Sequence, residues 1–328
     1  MPEGDTIFRT ARALNRALAG HTVTVFESVY PALMRVDEDA PLAGRAVVGV
    51  KALGKHLLIE FSGGLTLRTH LRMNGRWHLY QQGEPWHAPR SAVRVVIATA
   101  RHVAVAFDVQ VAEFVTARGL ARHAVMAALG PDLLSETFDE GEALRRLDRA
   151  GEMTVAEAVL NQRIVAGIGN VFKCEILFVC RISPFRPVAS LSDEERVALL
   201  RCARRLLTAN VAEGSERPPA PYAFRRTTPF VNPGARLWVY GRPGRPCRRC
   251  GSAILSRKQG PDARLTFWCP LCQPQPQEPG MTPSAERASG DVSAGGVGRN
   301  AGLAAARTRS RVRGRVREPT LRPGGKLR

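Results

Sequence analysis

Leu129-Gly130-Pro131-Asp132 is where this chain changes its hydrophobic period, and that change decides the fold class. Gly-Pro marks a turn. Upstream, short alternating or apolar runs bounded by turn residues lie at 21–30, 45–50, 56–61, 65–70, 93–98 and 103–107. Their number and spacing predict about eight strands in a β-sandwich or barrel. One helix precedes them. Ile7, Ala11, Leu14 and Leu18 recur at helical spacing over residues 5–19, and Gly20 follows as a stop. Downstream the apolar residues fall at helical spacing instead: Leu144 and Leu147, then 154–180, then 193–212. Thr154 with Glu157, and Ser192 with Glu195, each match a capping box. The class is therefore α+β and multidomain: a β-rich part at 1–125, a helical part at 126–215, and a Pro- and Arg-rich linker at 216–236.

A cysteine-paired module at 237–273 follows the linker. Cys247-Arg248-Arg249-Cys250 and Cys269-Pro270-Leu271-Cys272 are two C-x2-C pairs with 18 residues between them. Four thiolates at this spacing predict a tetrahedral zinc site on a β-hairpin. All four ligands come from protein, so the zinc is structural, one per chain. Cys174, Cys180 and Cys202 lie on helical segments and are assigned to the core. From about residue 274 to 328 the chain is Pro, Gly, Ala, Ser and Arg with few large apolar residues, which predicts disorder.

The 328 residues carry a formal net charge of +19, which points to a polyanionic partner. The tail does not account for all of it. Residues 274–328 contribute a net +7, leaving +12 on the rest. No apolar stretch has the length of a membrane span, and residues 1–20 do not read as a secretory signal. Seven cysteines in a chain this long argue against a disulfide framework and for the reducing cytosol.

Further motifs carry chemistry. The chain opens Met1-Pro2-Glu3-Gly4-Asp5-Thr6. Removal of Met1 would expose the secondary amine of Pro2, which can attack a carbonyl-like carbon and form an iminium. Glu3 is a carboxylic acid directly beside it. The helix starting at Asp5 would place that amine near a positive dipole end, favouring its neutral, nucleophilic form. In Gly167-Ile168-Gly169-Asn170 the glycines allow close backbone approach to a ligand, and a helix N-terminus offers free N–H groups to an anion. Asn170 would cap that helix or donate its amide to a phosphate; capping explains it equally well. Lys55, between strands, is either a phosphate or proton-transfer group or an ordinary turn lysine. Arg72-Met73-Asn74 forms a loop with an apolar tip, which is either a wedge for a base stack or a buried Met at a strand end. Arg264, near the second cysteine pair, can clamp a phosphate with two hydrogen bonds.

Taken in order, these motifs resemble the formamidopyrimidine-DNA glycosylase / endonuclease VIII family of base-excision repair enzymes. The match runs through Pro2-Glu3-Gly4-Asp5-Thr6, Gly54-Lys55-His56, His70 to Gly75, Leu129 to Asp132, Gln162 to Asn170 with Glu175, Val239 to Arg242, and the four-cysteine hairpin ending at Gln273. The opening pentapeptide is most similar to the endonuclease VIII branch. The wedge triplet is more similar to the formamidopyrimidine branch. The resemblance implies an N-terminal β-sandwich, a helix-two-turns-helix domain and a zinc hairpin that together clamp DNA. It makes Pro2 the nucleophile and Glu3 the general acid, with Lys55 and Arg264 beside them in the reaction. It gives phosphate contacts to Lys55, Asn170 and Arg264 and the wedge to Arg72, Met73 and Asn74.

The function so implied is a monomeric, bifunctional DNA glycosylase/AP lyase, cytoplasmic and nucleoid-associated. It would act on double-stranded DNA holding oxidised pyrimidines or abasic sites, through a proline Schiff base and β,δ-elimination. Two alternatives stand beside it: the same chemistry on oxidised purines, and a non-catalytic zinc-finger protein that binds damaged DNA. The Arg-x-Arg run at 307–317 would add salt-sensitive DNA affinity or serve as a partner-binding tail.

Overall fold

The computed structural model describes residues 2–212 and 225–275. Residues 216–224 of the expected linker and nearly all of the basic tail lie outside the described residues. Helix α1 (Gly4–Leu18) forms where its periodicity predicts, with Ile7, Ala11, Leu14 and Leu18 on its buried face. Eight strands follow: β1 (Val23–Ser28), β2 (Val47–Leu53), β3 (His56–Phe61), β4 (Leu65–His70), β5 (Arg76–Gln81), β6 (Val93–Thr99), β7 (His102–Phe107) and β8 (Val111–Thr116). They make two four-stranded sheets, in the orders β1-β6-β7-β5 and β2-β3-β4-β8. All pairings are antiparallel, and the main core lies between the sheets.

Strands β6 and β7 are apolar on both faces because both are covered. Val95, Ile97, Ala104 and Ala106 face the inner core. Val96, Val105 and Phe107 cluster on the outside with Tyr80 and Trp86. Within residues 1–116, two strands and one α-helix were not among the runs read from sequence. Strand β5 interleaves Trp77 and Tyr80 with Arg76 and His78; β8 is half-buried along nearly its whole length. Helix α2 (Pro31–Asp39) buries only Leu33, too little to leave a periodic signature.

Past β8 come α3 (Ala117–Arg122), α4 (Ala124–Ala127), α5 (Glu140–Asp148), α6 (Val155–Leu160), α7 (Asn170–Val179) and α8 (Asp193–Ala212). Helices α5 to α8 and the segments joining them enclose a separate core of residues including Leu147, Val159, Ile168, Phe172, Leu199 and Leu207. The first core ends in sequence at Val109 and the second begins at Leu133, so the turn at 129–132 lies between them. The Ser192 capping box is complete: Ser192 N donates to Glu195 Oε2 (2.9 Å) and Glu195 N to Ser192 Oγ (3.2 Å). At Thr154 only half forms. Glu157 N reaches Thr154 Oγ1 (3.4 Å), but the Glu157 carboxylate takes the Thr154 hydroxyl (2.5 Å).

The last element is a hairpin of β9 (Leu255–Gln259) and β10 (Arg264–Trp268), which packs on α7 through Cys174, Phe178 and Phe267. Two buried polar systems lock it there. The Glu175 carboxylate, fully buried, accepts from Trp238 N (2.7 Å), Val239 N (2.9 Å), Tyr240 N (2.8 Å) and the Thr227 hydroxyl. Burial pushes its carboxyl above the ordinary range, and these donors pull it back. Lys173, 1% exposed, donates to Thr266 Oγ1 (2.8 Å). Thr266 donates onward to Gln259 Oε1 (3.0 Å), and Gln259 Nε2 reaches Thr154 Oγ1 (2.8 Å). Helices α6 and α7 and the hairpin are thus joined by side chains whose desolvation is offset only while all of them stay in place. The described end of the expected linker is not a loose tether either, since Arg225, Thr227 and Thr228 are buried.

Glu175→Gln keeps the shape but turns an acceptor into a donor facing N–H groups. It is expected to destabilise the protein by about 2–3 kcal/mol, read as a lower urea midpoint at unchanged slope. An unchanged midpoint would show that these bonds do not hold the 238–240 segment.

Candidate active site at the N-terminus

The chain's first residues run into the seam between the two cores. Glu3 is fully buried and caps a helix that begins 167 positions later. Its carboxylate accepts from Val171 N (2.8 Å), Gly169 N (3.1 Å) and Phe172 N (3.1 Å), the free donors at the start of α7. The anion expected at this helix N-terminus is therefore the chain's own side chain. Helix α7 is capped by Glu3 and not by Asn170, which is the first helical residue. Gly4 N also donates to Gly167 O (2.8 Å).

This approach leaves no room for a Cβ. One on Gly169 would lie 2.3 Å from Glu3 Cγ and Cδ, and one on Gly4 would lie 2.8 Å from Gly167 Cα. Gly167 itself holds a φ of +109°. The Gln162 side chain braces this link, donating from Nε2 to Ile168 O (3.0 Å) and accepting from Gly167 N (3.1 Å).

A second charged pair fixes the following residue. Arg225 grips Asp5 with two bonds, Nη2 to Oδ1 at 2.6 Å and Nε to Oδ2 at 3.0 Å. Its Nη1 lies 3.9 Å from Glu3 Oε1. Burial alone would lower the Arg225 pKa; Glu3 and Asp5 more than offset it and raise it. Pro2 is buried immediately ahead of Glu3, which is the N-cap of α1.

Lys55 occupies the two-residue turn between β2 and β3. Gly54 takes a φ of +57° there, and its N–H donates to Asp132 Oδ2 (2.7 Å). Asp132, the last residue of the turn that opens the helical part, thus holds the lysine's turn against the 166–167 link. Lys55 is half-buried. Burial lowers its pKa to about 8, with Glu3 opposing and Arg264 and Arg225 assisting.

The wedge loop is exposed, as a base-stack wedge requires. Arg72, Met73 and Asn74 all face outward, and Met73 is 45% exposed. This rules out the buried-Met reading. Arg72 holds a φ of +52°, and its N–H donates to His70 Nδ1 (3.1 Å). Across the seam, Arg264 at the start of β10 touches this loop, with Nη1 3.5 Å from Met73 Sδ. Asn170 is 5% exposed, and its amide donates to Leu265 O (2.9 Å), so it ties α7 to β10. Glu3, Lys55 and Arg264 come together from three remote stretches. Asp5, Asp132 and Arg225 join them; Asp5 and Asp132 carry no site role in the sequence reading, and Arg225, which reads there as part of a segment covering an extruded base or as plain linker, is instead buried on Asp5.

The four cysteines lie at the far end of the hairpin from Arg264. Their sulfurs are within 4.8 Å of one another, with Cys250 to Cys269 at 3.4 Å and Cys247 to Cys272 at 3.9 Å. A tetrahedron of sulfurs about 2.3 Å from one zinc has edges of about 3.8 Å. Backbone N–H groups of Arg249 and Cys272 point at Cys247 and Cys269 sulfur (3.4 Å each), as suits thiolates. The donor set fits a structural metal ion.

Comparison with known proteins agrees with this architecture. Residues 1–123 match the formamidopyrimidine-DNA glycosylase N-terminal domain, and residues 129–217 match the formamidopyrimidine-DNA glycosylase H2TH domain. The chain is 39% identical over 287 residues to the probable endonuclease 8 2 of Streptomyces coelicolor, covering 86% of this chain and 98% of that protein. It is 40% identical over 273 residues to the DNA-(apurinic or apyrimidinic site) lyase Nei2 of Mycolicibacterium smegmatis, covering 83% and 99%. Among solved structures, Lactococcus lactis Fpg in complex with N7-benzyl-Fapy-dG DNA aligns with a TM-score of 0.70 at 25% identity, over 84% of this chain and all of that one.

Gly169→Ala is expected to expel the Glu3 carboxylate from α7 and reduce turnover at the site by about 100-fold or more, a misplacement cost of the size seen when reacting groups shift by about 1 Å. Circular dichroism should show the fold retained; full activity would mean that Glu3 does not need its helix cap.

Proposed function

The chain belongs to the formamidopyrimidine-DNA glycosylase / endonuclease VIII family, DNA glycosylases and AP lyases of DNA repair, and on that premise we propose that it excises oxidised pyrimidines through a Schiff base on Pro2. The observation that carries the reading is the Glu3 cap on α7. It holds Pro2 and Glu3 in the seam, beside Lys55 and Arg264.

The chemistry follows from the residues. A damaged nucleotide leaves the stack at a cost of a few kcal/mol, and Met73 fills the gap. The processed Pro2 nitrogen attacks C1′, the C1′–base bond breaks, and loss of the nitrogen proton with opening of the sugar ring leaves an iminium. The proton lost from the nitrogen passes to the Glu3 carboxylate, which hands it on to the ring oxygen as the acid, and the departing base takes a proton from water. Both Glu3 oxygens accept N–H bonds in the free protein, so delivery requires one of those bonds to open as substrate enters. The iminium acidifies the C2′ hydrogen. Its removal expels the 3′ phosphate, a second elimination expels the 5′ phosphate, and a gap flanked by phosphates remains.

Lys55, Asn170 and Arg264 hold phosphates around the lesion, with Asn170 releasing Leu265 O to do so. One zinc in the Cys247, Cys250, Cys269 and Cys272 site keeps the hairpin, and with it Arg264, in shape. The partner is double-stranded DNA bearing oxidised bases or abasic sites, met by a monomer in the cytoplasm at the nucleoid. The opening Pro2-Glu3-Gly4-Asp5-Thr6, most similar to the endonuclease VIII branch, favours oxidised pyrimidines, and relatives of this chain bear the name endonuclease 8. The methionine wedge favours the second reading, oxidised purines. Cleavage rates on thymine glycol, 5-hydroxycytosine and 8-oxoguanine duplexes decide between the two.

Borohydride is expected to trap the processed chain on abasic DNA, with peptide mapping placing the adduct on Pro2; failure to trap would remove the enzymatic reading. Glu3→Gln should suppress base excision far more than cleavage of a preformed abasic site, and equal losses would contradict its role as acid. Lys55 supplies a pH signature. With a pKa of about 8 it is charged below that value and neutral above it. Affinity for a duplex with an abasic-site analogue should therefore fall by about tenfold as pH rises from 7 to 9, the worth of one charge-assisted contact. Lys55→Arg should flatten that profile, and an equally steep profile in the variant would clear Lys55 of the contact.

A further inference from the structure

A cavity of about 690 Å³ opens on the other end of α7, where Val179 lines it. At about 1.5 Å per residue, Val179 is roughly 13 Å along the helix from Asn170. None of Pro2, Glu3, Lys55, Asn170 and Arg264 lines this cavity. Five arginines do: Arg9 from α1, Arg205 from α8, then Arg226, Arg236 and Arg249. No acidic residue is among its lining, taken over the described residues.

Two of these guanidinium groups are desolvated without full compensation. Arg9 is 8% exposed, and its Nε has no acceptor; its Nη2 lies 3.5 Å from Asp5. Arg226 has a buried Nη1 with no acceptor. Both side chains are held in place. Asn210 accepts from Arg226 N (2.7 Å) and donates to Arg226 O (2.8 Å), and Arg226 Nη2 donates to Val231 O (3.1 Å). Arg249 stacks on Phe178, 4.4 Å from the ring centre, and donates to Phe178 O (3.3 Å). Five cationic side chains lining one space repel each other, and two of them carry a buried N–H without an acceptor. A tetrahedral oxyanion relieves both costs at once, because it matches the fork geometry and brings negative charge.

We propose that this cavity is a second anion site, separate from the DNA cleft, and that its ligand carries a phosphate group. The volume is that of a small-molecule site. The phosphate is either free or the terminal phosphate of a strand. Arg9 shares Asp5 with Arg225, and Arg225 faces Glu3, so the site communicates with the N-terminal one through a single carboxylate.

The test is calorimetry on the full chain, first free and then saturated with a duplex carrying an uncleavable abasic-site analogue. The titrants are pyrophosphate and a trinucleotide with or without a 5′-phosphate. Pyrophosphate should bind with one-to-one stoichiometry in both states. Arg226→Gln and Arg205→Gln should each weaken it by about tenfold, the loss of one charge-assisted bond, with abasic-site cleavage in phosphate-free buffer unchanged. Arg205 is exposed, so its variant keeps the test open if Arg226→Gln fails to fold. Tighter binding of the phosphorylated trinucleotide than of pyrophosphate would make a strand terminus the source, and the reverse would make it free phosphate. Binding lost once the duplex is present would place the anion in the cleft and overturn the proposal. So would binding indifferent to both variants, or no saturable heat in either state. Failure of the chain to bind the duplex would count against the proposed function alone, since the free-chain titration still reads this cavity.

Discussion

A single carboxylate at the start of a distant helix organises this molecule. Glu3 places its negative charge where three backbone N–H groups of α7 have no partner of their own, and the helix dipole adds to the attraction. The arrangement works because Gly4 and Gly169 let two stretches of backbone meet at a separation no larger residue permits. Each side solves the other's problem: the helix gains its cap, and the chain terminus gains a fixed position. A terminus is ordinarily the least ordered part of a chain. Here Glu3 and Gly4 are bonded across the seam, two and three positions into the chain.

The surrounding charges follow from that constraint. Glu3 and Asp5 are both buried, and burying two carboxylates side by side is costly unless cations accompany them. Arg225 answers for both, and Arg9 shares Asp5. Lys55 sits on a turn tied down by Asp132, and Arg264 arrives on the hairpin. A positively charged rim therefore surrounds a negatively charged root. A positive rim of this kind suits a polyanion such as a phosphodiester backbone.

The hairpin's place depends on polar groups as much as on packing. Glu175 collects three backbone N–H groups and a hydroxyl, and Lys173, Thr266, Gln259 and Thr154 form a continuous chain of bonds. Removing any member leaves a buried donor or acceptor unpaired, which makes the docking geometry specific as well as stable. The contact of Arg264 with Met73 then joins the hairpin to the sandwich loop, 191 residues away in sequence. In this structure the two sides of the clamp touch.

Much of the architecture was legible in residue order because it is set locally. The helical spacing of α1, the strands from β3 to β7 that carry apolar runs, the capping box at Ser192 and the paired cysteines need only neighbours in sequence to be recognised. Strand β5, strand β8 and helix α2 escaped because their burial is partial and their periodicity weak. Pro2 and Glu3 stood out from motif chemistry, Lys55 and Arg264 from the family resemblance, and the N-terminal helix was evident. What those residues do to one another was not. That Glu3 caps α7, that Asn170 does not, that Arg225 is buried on Asp5 and that Asp132 holds Gly54 all depend on groups 78 to 220 positions apart. Hydrogen bonds and ion pairs reach only a few ångströms. Which ones form across such separations is decided when the two cores close on the chain terminus, and no local pattern records it.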